Sequence, residues 1–212
     1  MTPPGFDDRF RAQLRDLLAW RRDVRRFRRD PFPRAWLAEI FEAAQLSPSV
    51  GNSQPWRWVE AASAKAREAV RANFRACNAA ALATQAPDRA AAYARLKLAG
   101  LEAAPVQFAV FCDRATKQGH GLGAATMPEM LDYSVASMIA CVWLVARARG
   151  LGIGWVSILD PERLTADLGV PASYRLIAYL CVGLPEEEHE TPELERADWQ
   201  ERTALGAYVL HV

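Results

Sequence analysis

Six arginines stand within the ten residues RRDVRRFRRD at positions 21–30, with Asp23 among them. Guanidinium groups present planar forks of N–H donors that match phosphate oxygens, so the cluster predicts a phosphate site. A solvated basic turn is the alternative. The surrounding positive charge should keep the Asp23 carboxylate ionised, and an ionised carboxylate can accept protons from a bound molecule. A role limited to orienting the arginines is the alternative for Asp23.

A polar loop, LSPSVGNSQPWRWV at positions 46–59, is the second candidate site. Its two prolines stiffen the chain, and its hydroxyl and amide groups can donate and accept hydrogen bonds around a planar polar ring. A loop that bonds only to itself is the alternative, because Ser and Asn often close their own turns. The candidate contacts are Ser47, Pro48, Ser49, Asn52, Ser53 and Gln54.

Other familiar catalytic patterns are missing from the sequence. There is no GxSxG motif and no Cys–His nucleophile pair, and the three histidines are scattered, which disfavours a metal site. The glycine-rich stretch TKQGHGLGAAT at positions 116–126 matches neither the dinucleotide nor the P-loop pattern and is predicted to be a mobile loop. An arginine cluster and a polar loop without a nucleophile indicate that a bound cofactor carries the chemistry.

Composition narrows the class of protein. The 212 residues are 51% hydrophobic, which suits one domain, and a net charge of +1 disfavours nucleic acid as a partner. The basic stretch has no interleaved aromatic stripe, so an RNA-binding module is disfavoured too. The four cysteines show no CxxC spacing and predict free thiols in a reducing compartment. Neither a signal peptide nor an apolar run of about 18 residues is visible, so we expect no membrane span and a cytoplasmic protein.

Periodicity predicts a single α+β domain over residues 1–212 with roughly four strands. Residues 127–149 form a pattern that is apolar nearly all round, which predicts a helix buried on every side at a subunit interface. The run LGIGWVSIL at positions 151–159 predicts a buried strand that contains Ser157. Residues 78–101 are alanine-rich and predict a loosely packed, movable segment, and residues 186–212 predict a C-terminal arm around a second chain.

The stretches RRDVRRF, SPSVGNSQPW and GLGIGWVSIL together resemble the flavin-binding signature of the nitroreductase superfamily. The resemblance runs from about Leu17 to Leu205. It implies a nitroreductase-like α+β fold, with a central, mostly antiparallel sheet flanked by helices, in a domain-exchanged homodimer that binds FMN at the interface. The FMN contacts that it implies are Arg21, Arg22, Asp23, Val24, Arg25, Ser47, Pro48, Ser49, Asn52, Ser53, Gln54, Gly154, Trp155, Ser157 and, on the phosphate, Arg202.

Five separated stretches narrow the resemblance to the flavin-destroying branch of that superfamily: RRDVRRF, SPSVGNSQPWRWV, LKLAGLEAAP, ATMPEMLDYSV and GLGIGWVSILDP. Membership implies that reduced FMN and O2 are converted to 5,6-dimethylbenzimidazole and erythrose 4-phosphate, so that FMN is the substrate. The catalytic acid of the branch falls on Asp23 and its ring-proximal serine on Ser157. A structural serine that bonds only to the backbone is the alternative for Ser157.

Fragmentation of a flavin needs a closed, dry site, and the alanine-rich residues 78–101 fit a lid over the flavin. Because no nicotinamide fingerprint is visible in the sequence, we expect a separate flavin reductase as the source of FMNH2. An FMN-dependent NAD(P)H nitroreductase or quinone-type oxidoreductase is the alternative function. A flavin-storage protein without turnover also remains open, since it would use the same phosphate site.

Overall fold

The computed structural model describes residues 4–96 and 99–204. One antiparallel sheet of four strands, in the order β1-β2-β4-β3, forms its centre, and the α+β prediction is confirmed. The strands are β1 Trp56–Glu60, β2 Val106–Asp113, β3 Gly152–Val156 and β4 Tyr174–Gly183. The helices are α1 Asp8–Trp20, α2 Ala35–Gln45, α3 Ala64–Ala83, α4 Pro87–Arg95, α5 Gly100–Ala103, α6 Met130–Ala148, α7 Pro161–Asp167 and α8 Glu193–Arg196.

Helices cover both faces of the sheet, which explains why β2 and β4 are continuous apolar runs in the sequence. Phe108 and Val110 of β2 pack with α2 and α6 on one face. Ala109 and Phe111 point the other way, into a second cluster with α3, α5 and α7. Alternate residues of a strand point to opposite faces, so a strand covered on both sides is apolar at every position.

The central helix α6 is only half covered by its own chain. Val135, Ile139 and Val142 lie on the fully buried face, whereas Tyr133 is 56% exposed. One chain therefore covers one face of α6, and burial of the other face at a subunit interface stays a prediction. By length and composition α6 could also cross a membrane, contrary to the expectation from sequence, although core helices of other proteins pass the same test.

Helix α1 buries none of its residues. Its apolar side chains follow one another at intervals of four, and Phe10, Leu14 and Leu18 are 42%, 39% and 51% exposed. An isolated helix of this length is marginal in water, because most helix stability in proteins comes from packing an apolar face. The apolar stripe of α1 thus lacks a cover within the described chain.

The segment proposed from sequence as a lid, residues 78–101, includes the end of α3, all of α4 and the start of α5, while residues 97–98 lie outside the described residues. The Tyr93 hydroxyl of α4 donates to Asn78 Oδ1 of α3 at 3.0 Å. The C-terminal segment reaches α4 as well, because the Arg89 guanidinium lies 5.0 Å from the Trp199 ring. Residues 205–212 of the predicted arm lie outside the described residues.

Candidate functional site

Asp23 is held against β3 by its backbone and its side chain. Val24 N donates to Ile153 O at 3.0 Å, and Trp155 N donates to Asp23 Oδ1 at 2.8 Å. The approach requires glycine at position 154, where a Cβ atom would lie 2.2 Å from Val24 O. The sequence GIGW therefore serves as a platform that fixes the Asp23 carboxylate.

The surroundings of Asp23 oppose its ionisation on balance. Burial raises the pKa of the Asp23 carboxyl, and the hydrogen bond from Trp155 N–H and the nearby charge of Arg25, whose Nε is 3.6 Å from Asp23 Oδ2, only partly compensate. The nearby Glu193 raises the pKa of Asp23 further. The expectation that the arginines set its protonation is wrong in direction. A carboxyl with a raised pKa is better suited to exchange protons near neutral pH.

Arg21 and Arg25 are the two arginines of the cluster whose guanidinium groups make no hydrogen bond within the described residues, although Arg25 lies 3.6 Å from Asp23 and 3.9 Å from Glu193. Arg21 has no ion-pair partner among those residues. Its guanidinium lies 4.8 Å from the Trp143 ring, and within residues 4–96 and 99–204 its N–H groups have no hydrogen-bond acceptor. Trp143 Nε1 is buried and also lacks a partner among those residues. Charged and neutral N–H donors without acceptors fit the phosphate oxygens of FMN, so this part of the structure agrees with the cofactor that the resemblance implies.

Arg22 is occupied by the protein backbone. Its Nε donates to Glu190 O at 2.5 Å, its Nη1 to Arg21 O at 2.7 Å, and its Nη2 to Ala19 O. Burial first, then the charges of Arg202 and Arg21, lowers the pKa of Arg22. Arg22 thus ties the C-terminal segment to the end of α1, and its contact with phosphate stays a prediction.

Acidic residues after β4 neutralise other arginines of the site, a feature that the sequence reasoning missed. Arg26 pairs with Glu187, and Arg147 forms two hydrogen bonds with Glu188, at 2.6 and 2.9 Å. Arg25 lies 3.9 Å from Glu193. The signal was present in the run EEEHETPELE at positions 186–195, whose charge is opposite to that of the arginine cluster.

Two clefts flank Arg22. The first is narrow, with a cavity volume of about 40 Å³, and is lined by Asp23, Val24, Arg25 and Trp143 among others. The second, with a cavity volume of about 480 Å³, is lined by Arg21, Arg22 and Arg202 among others. Arg202 therefore lies beside the arginine cluster, as the sequence suggested, and its Nε is 3.8 Å from Glu195 Oε2.

The polar loop at positions 46–59 is a rigid turn with several bonds to itself. Ser47 Oγ donates to Ala43 O and Ser49 Oγ accepts from Gln54 N, both at 3.0 Å. Positive φ angles at Gly51, Asn52 and Gln54 shape the turn. Ser53 Oγ is buried without a partner among the described residues. Self-bonding, the alternative reading, is therefore correct for two serines, and flavin contacts of the loop stay a prediction.

The glycine-rich stretch at positions 116–126, predicted to be a mobile loop, packs against this polar loop. Gln118 Nε2 donates to Asn52 O at 2.9 Å. A Cβ atom on Gly119 would lie 2.7 Å from Gly51 O, so the two backbones touch only because both residues are glycine. The stretch is a support for the polar loop, which periodicity alone does not reveal.

Ser157 lies after the end of β3 and is exposed, so its predicted place inside a buried strand is wrong. Its hydroxyl has no hydrogen-bond partner among the described residues, and the alternative of a structural serine bonded to backbone is not seen. Ser157 follows Trp155 by two positions, about 7 Å along an extended chain. It is therefore close in sequence to the residue that binds Asp23.

The arginine cluster and the polar loop lie toward opposite ends of α6. Arg21 stacks on Trp143, whereas Val50 N donates to Ser134 Oγ at 3.0 Å. Ser134 and Trp143 are nine residues apart, or about 13 Å along the helix axis. No contact between the two groups joins them within the described part of one chain.

Comparison with known proteins explains this set of residues. The nitroreductase family model matches residues 18–184. A 5,6-dimethylbenzimidazole synthase of Rhodospirillum rubrum is 57% identical over 201 residues, 95% of this chain and 95% of that protein. One of Rhodobacter capsulatus is 46% identical over 93% of this chain and 95% of that protein.

Solved structures agree on the fold. Iodotyrosine deiodinase bound to FMN and 3-iodo-L-tyrosine superposes with a TM-score of 0.69 at 23% identity, covering 83% of this chain and 91% of that chain. The resemblance drawn from the sequence motifs is confirmed. The chain belongs to the nitroreductase family, in the branch that contains the 5,6-dimethylbenzimidazole synthases.

Proposed function

We propose that this chain converts reduced FMN and O2 to 5,6-dimethylbenzimidazole and erythrose 4-phosphate. The observation that carries the proposal is a carboxylate, Asp23, fixed by Trp155 N–H inside a cluster of arginines. A phosphate site with a proton acceptor built into it suits a reaction in which the flavin itself is broken. The high identity to two enzymes named for this product supports the same conclusion.

Each part of the site has a distinct task. Arg21 and Trp143 N–H hold the phosphate, and Arg202 adds positive charge beside them. The polar loop, with Asn52 and Gln54, orients the ring. Bound reduced FMN supplies the carbon skeleton and the electrons that reduce O2. Asp23 accepts protons through Oδ2, because Oδ1 is engaged by Trp155 N–H, and the free hydroxyl of Ser157 donates a hydrogen bond to bound oxygen.

Residues 78–101 are the proposed lid that excludes water. Their alanine-rich helix α4 contacts the rest of the chain through the Tyr93–Asn78 hydrogen bond and through the Tyr93 and Trp199 rings, which are tilted by 58° at 6.3 Å. A closed, dry site favours fragmentation because water would otherwise divert reduced flavin to simple reoxidation. The nitroreductase alternative requires an open site for a second substrate.

A homodimer completes the proposed site. The apolar stripe of α1 and the exposed face of α6 need a cover, and a second copy of the chain supplies one. The polar loop of the partner subunit then meets the arginine cluster, which the geometry within one chain does not allow. The arm at residues 186–212 is proposed to extend this interface.

Charges on the stripe should separate the subunits. The double variant Leu14→Glu, Leu18→Glu is expected to be monomeric in sedimentation equilibrium and to lose FMN binding, because the two glutamates would be buried without partners. Gln13→Glu adds a charge to the same helix outside the stripe and should stay dimeric. A wild-type monomer that binds FMN would contradict the proposed dimer.

FMNH2 is proposed to come from a separate flavin reductase, since no nicotinamide fingerprint is present in the sequence. The described structure has all four cysteines as free thiols, which supports a cytoplasmic location.

Incubation of the protein with chemically reduced FMN in air tests the function directly. We expect stoichiometric 5,6-dimethylbenzimidazole by chromatography, with loss of the flavin. Recovery of intact FMN alone would indicate flavin storage. Sustained NAD(P)H consumption with an added quinone or nitroaromatic, without dimethylbenzimidazole, would indicate the nitroreductase alternative.

A further inference from the structure

Asn73 is a fully buried polar residue in the middle of α3, with 0% of its surface exposed. Its Nδ2 donates to Asp160 O at 2.9 Å, and its Oδ1 accepts from Asp160 N at 2.8 Å. The amide thus binds both polar groups of one backbone residue. Asn73 is a buried polar side chain with no direct part in the proposed chemistry.

Asp160 closes the short segment that carries Ser157. The segment begins where β3 ends, at Val156, which is paired with Tyr179 of β4. It ends at Asp160, whose carboxylate also caps α7 by accepting from Arg163 N at 3.0 Å. The Ser157 hydroxyl has no hydrogen-bond partner among the described residues. Its position is therefore set by the two ends of the segment, of which Asn73 holds one.

We propose that Asn73 is a positioning residue that fixes the Ser157 hydroxyl for the reaction. The proposal rests on the proposed function. The Asn amide carries a neutral donor and a neutral acceptor side by side, so it satisfies the backbone N–H and C=O of Asp160 together. Loss of the amide frees residues 157–160, and an error of about 1 Å in the position of a reacting group lowers turnover by about 100-fold.

The same helix also contacts the proposed lid. Asn78, five positions after Asn73, accepts from the Tyr93 hydroxyl of α4. Helix α3 therefore links the segment of Ser157 to the segment that excludes water. The position of Ser157 and the placement of α4 both depend on this one helix.

The test combines amide exchange with a double-mutant cycle. In flavin-free Asn73→Ala, hydrogen exchange of the Asp160 amide should accelerate by at least about tenfold, because its acceptor is lost. The fraction of oxidised FMNH2 recovered as dimethylbenzimidazole should fall by about 10- to 100-fold, with FMN affinity unchanged. In a Ser157→Ala background, Asn73→Ala should lower the product fraction by less than about a further twofold, because both substitutions remove the same contribution of the Ser157 hydroxyl.

Asn73→Asp keeps the size of the side chain but loses the donor to Asp160 O, and it should show an intermediate fall in product. The matched control is Ser63→Ala, which removes the N-cap bond to Ala66 N at 3.1 Å and weakens the same helix without touching Asp160. It should leave the product fraction unchanged.

Additive losses in the Ser157→Ala background, or an equal loss in Ser63→Ala, would overturn the positioning role. If both variants at position 73 fail to fold, hydrogen exchange in the wild-type protein tests the proposal instead. The Asp160 amide must then exchange as slowly as the backbone amides of α3. Fast exchange there would overturn the proposal. Absence of product from the wild-type protein would instead refute the proposed function. The exchange result would then still report whether Asn73 holds the backbone of Asp160.

Discussion

Asp23→Asn is expected to lower dimethylbenzimidazole formation by about 10²- to 10⁴-fold, the usual contribution of a positioned general base. The asparagine Oδ1 can still accept from Trp155 N, so the local backbone should keep its place. FMN binding should change little, because Asp23 is not among the donors to phosphate. Product is measured by chromatography after oxidation of reduced FMN, and binding by quenching of flavin fluorescence.

Asp30→Asn is the matched control. Asp30 belongs to the same basic stretch but is exposed, and its ion-pair partner in the described part of the chain is Arg28, at 3.0 Å. The control should form product at the wild-type rate. Wild-type turnover by Asp23→Asn would show that Asp23 orients the arginines and nothing more.

The pH dependence of Asp23 follows from its raised pKa. Wild-type product formation should fall as pH drops through this pKa, which burial places above the ordinary aspartate value of about 3.9. Product formation by Asp23→Asn should lack this decrease at low pH. Because the folded pKa exceeds the unfolded one, the stability contribution of Asp23 is present at low pH and lost as pH rises through the folded pKa. The variant should therefore gain in Tm relative to wild type as pH rises.

Arg21→Ala should weaken FMN binding by about 10- to 150-fold, the equivalent of about 1.5–3 kcal/mol for charge-assisted hydrogen bonds. The Arg21 guanidinium has no hydrogen-bond acceptor and no ion-pair partner among the described residues, and it stacks on Trp143. Riboflavin lacks the phosphate, so wild type and Arg21→Ala should bind it equally. Titration calorimetry with both flavins measures the difference.

Arg28→Ala removes an equal charge from the same stretch and should leave FMN affinity unchanged, because Arg28 pairs with Asp30 at the surface. Arg22→Ala should instead lower Tm, since its donors bind the carbonyls of Ala19, Arg21 and Glu190. An Arg21→Ala protein that binds FMN as tightly as wild type would place the phosphate elsewhere.

Local patterns predicted most elements well, because they depend on neighbours in the chain. The helix predicted at positions 127–149 and the strand predicted at positions 151–159 appear as α6 Met130–Ala148 and β3 Gly152–Val156. Ser157 was misplaced because a strand end depends on pairing, and β3 stops pairing with β4 at Val156. Local patterns also did not predict the packing of Gly119 on Gly51, because the contact joins residues 68 positions apart.

The sequence by itself determined the family, the arginine cluster, the polar loop and Asp23, because these depend on residue type and short spacing. The tertiary structure decided that Arg22 and Arg26 are occupied while Arg21 keeps free donors, since Glu190 O and Glu187, which bind Arg22 and Arg26, come from a distant segment. It also decided the direction of the Asp23 pKa shift, because burial depends on the whole fold. The chemical groups of the site can be identified from residue types in the sequence. The desolvation of those groups and their hydrogen-bond and ion-pair partners depend on which elements the fold brings together.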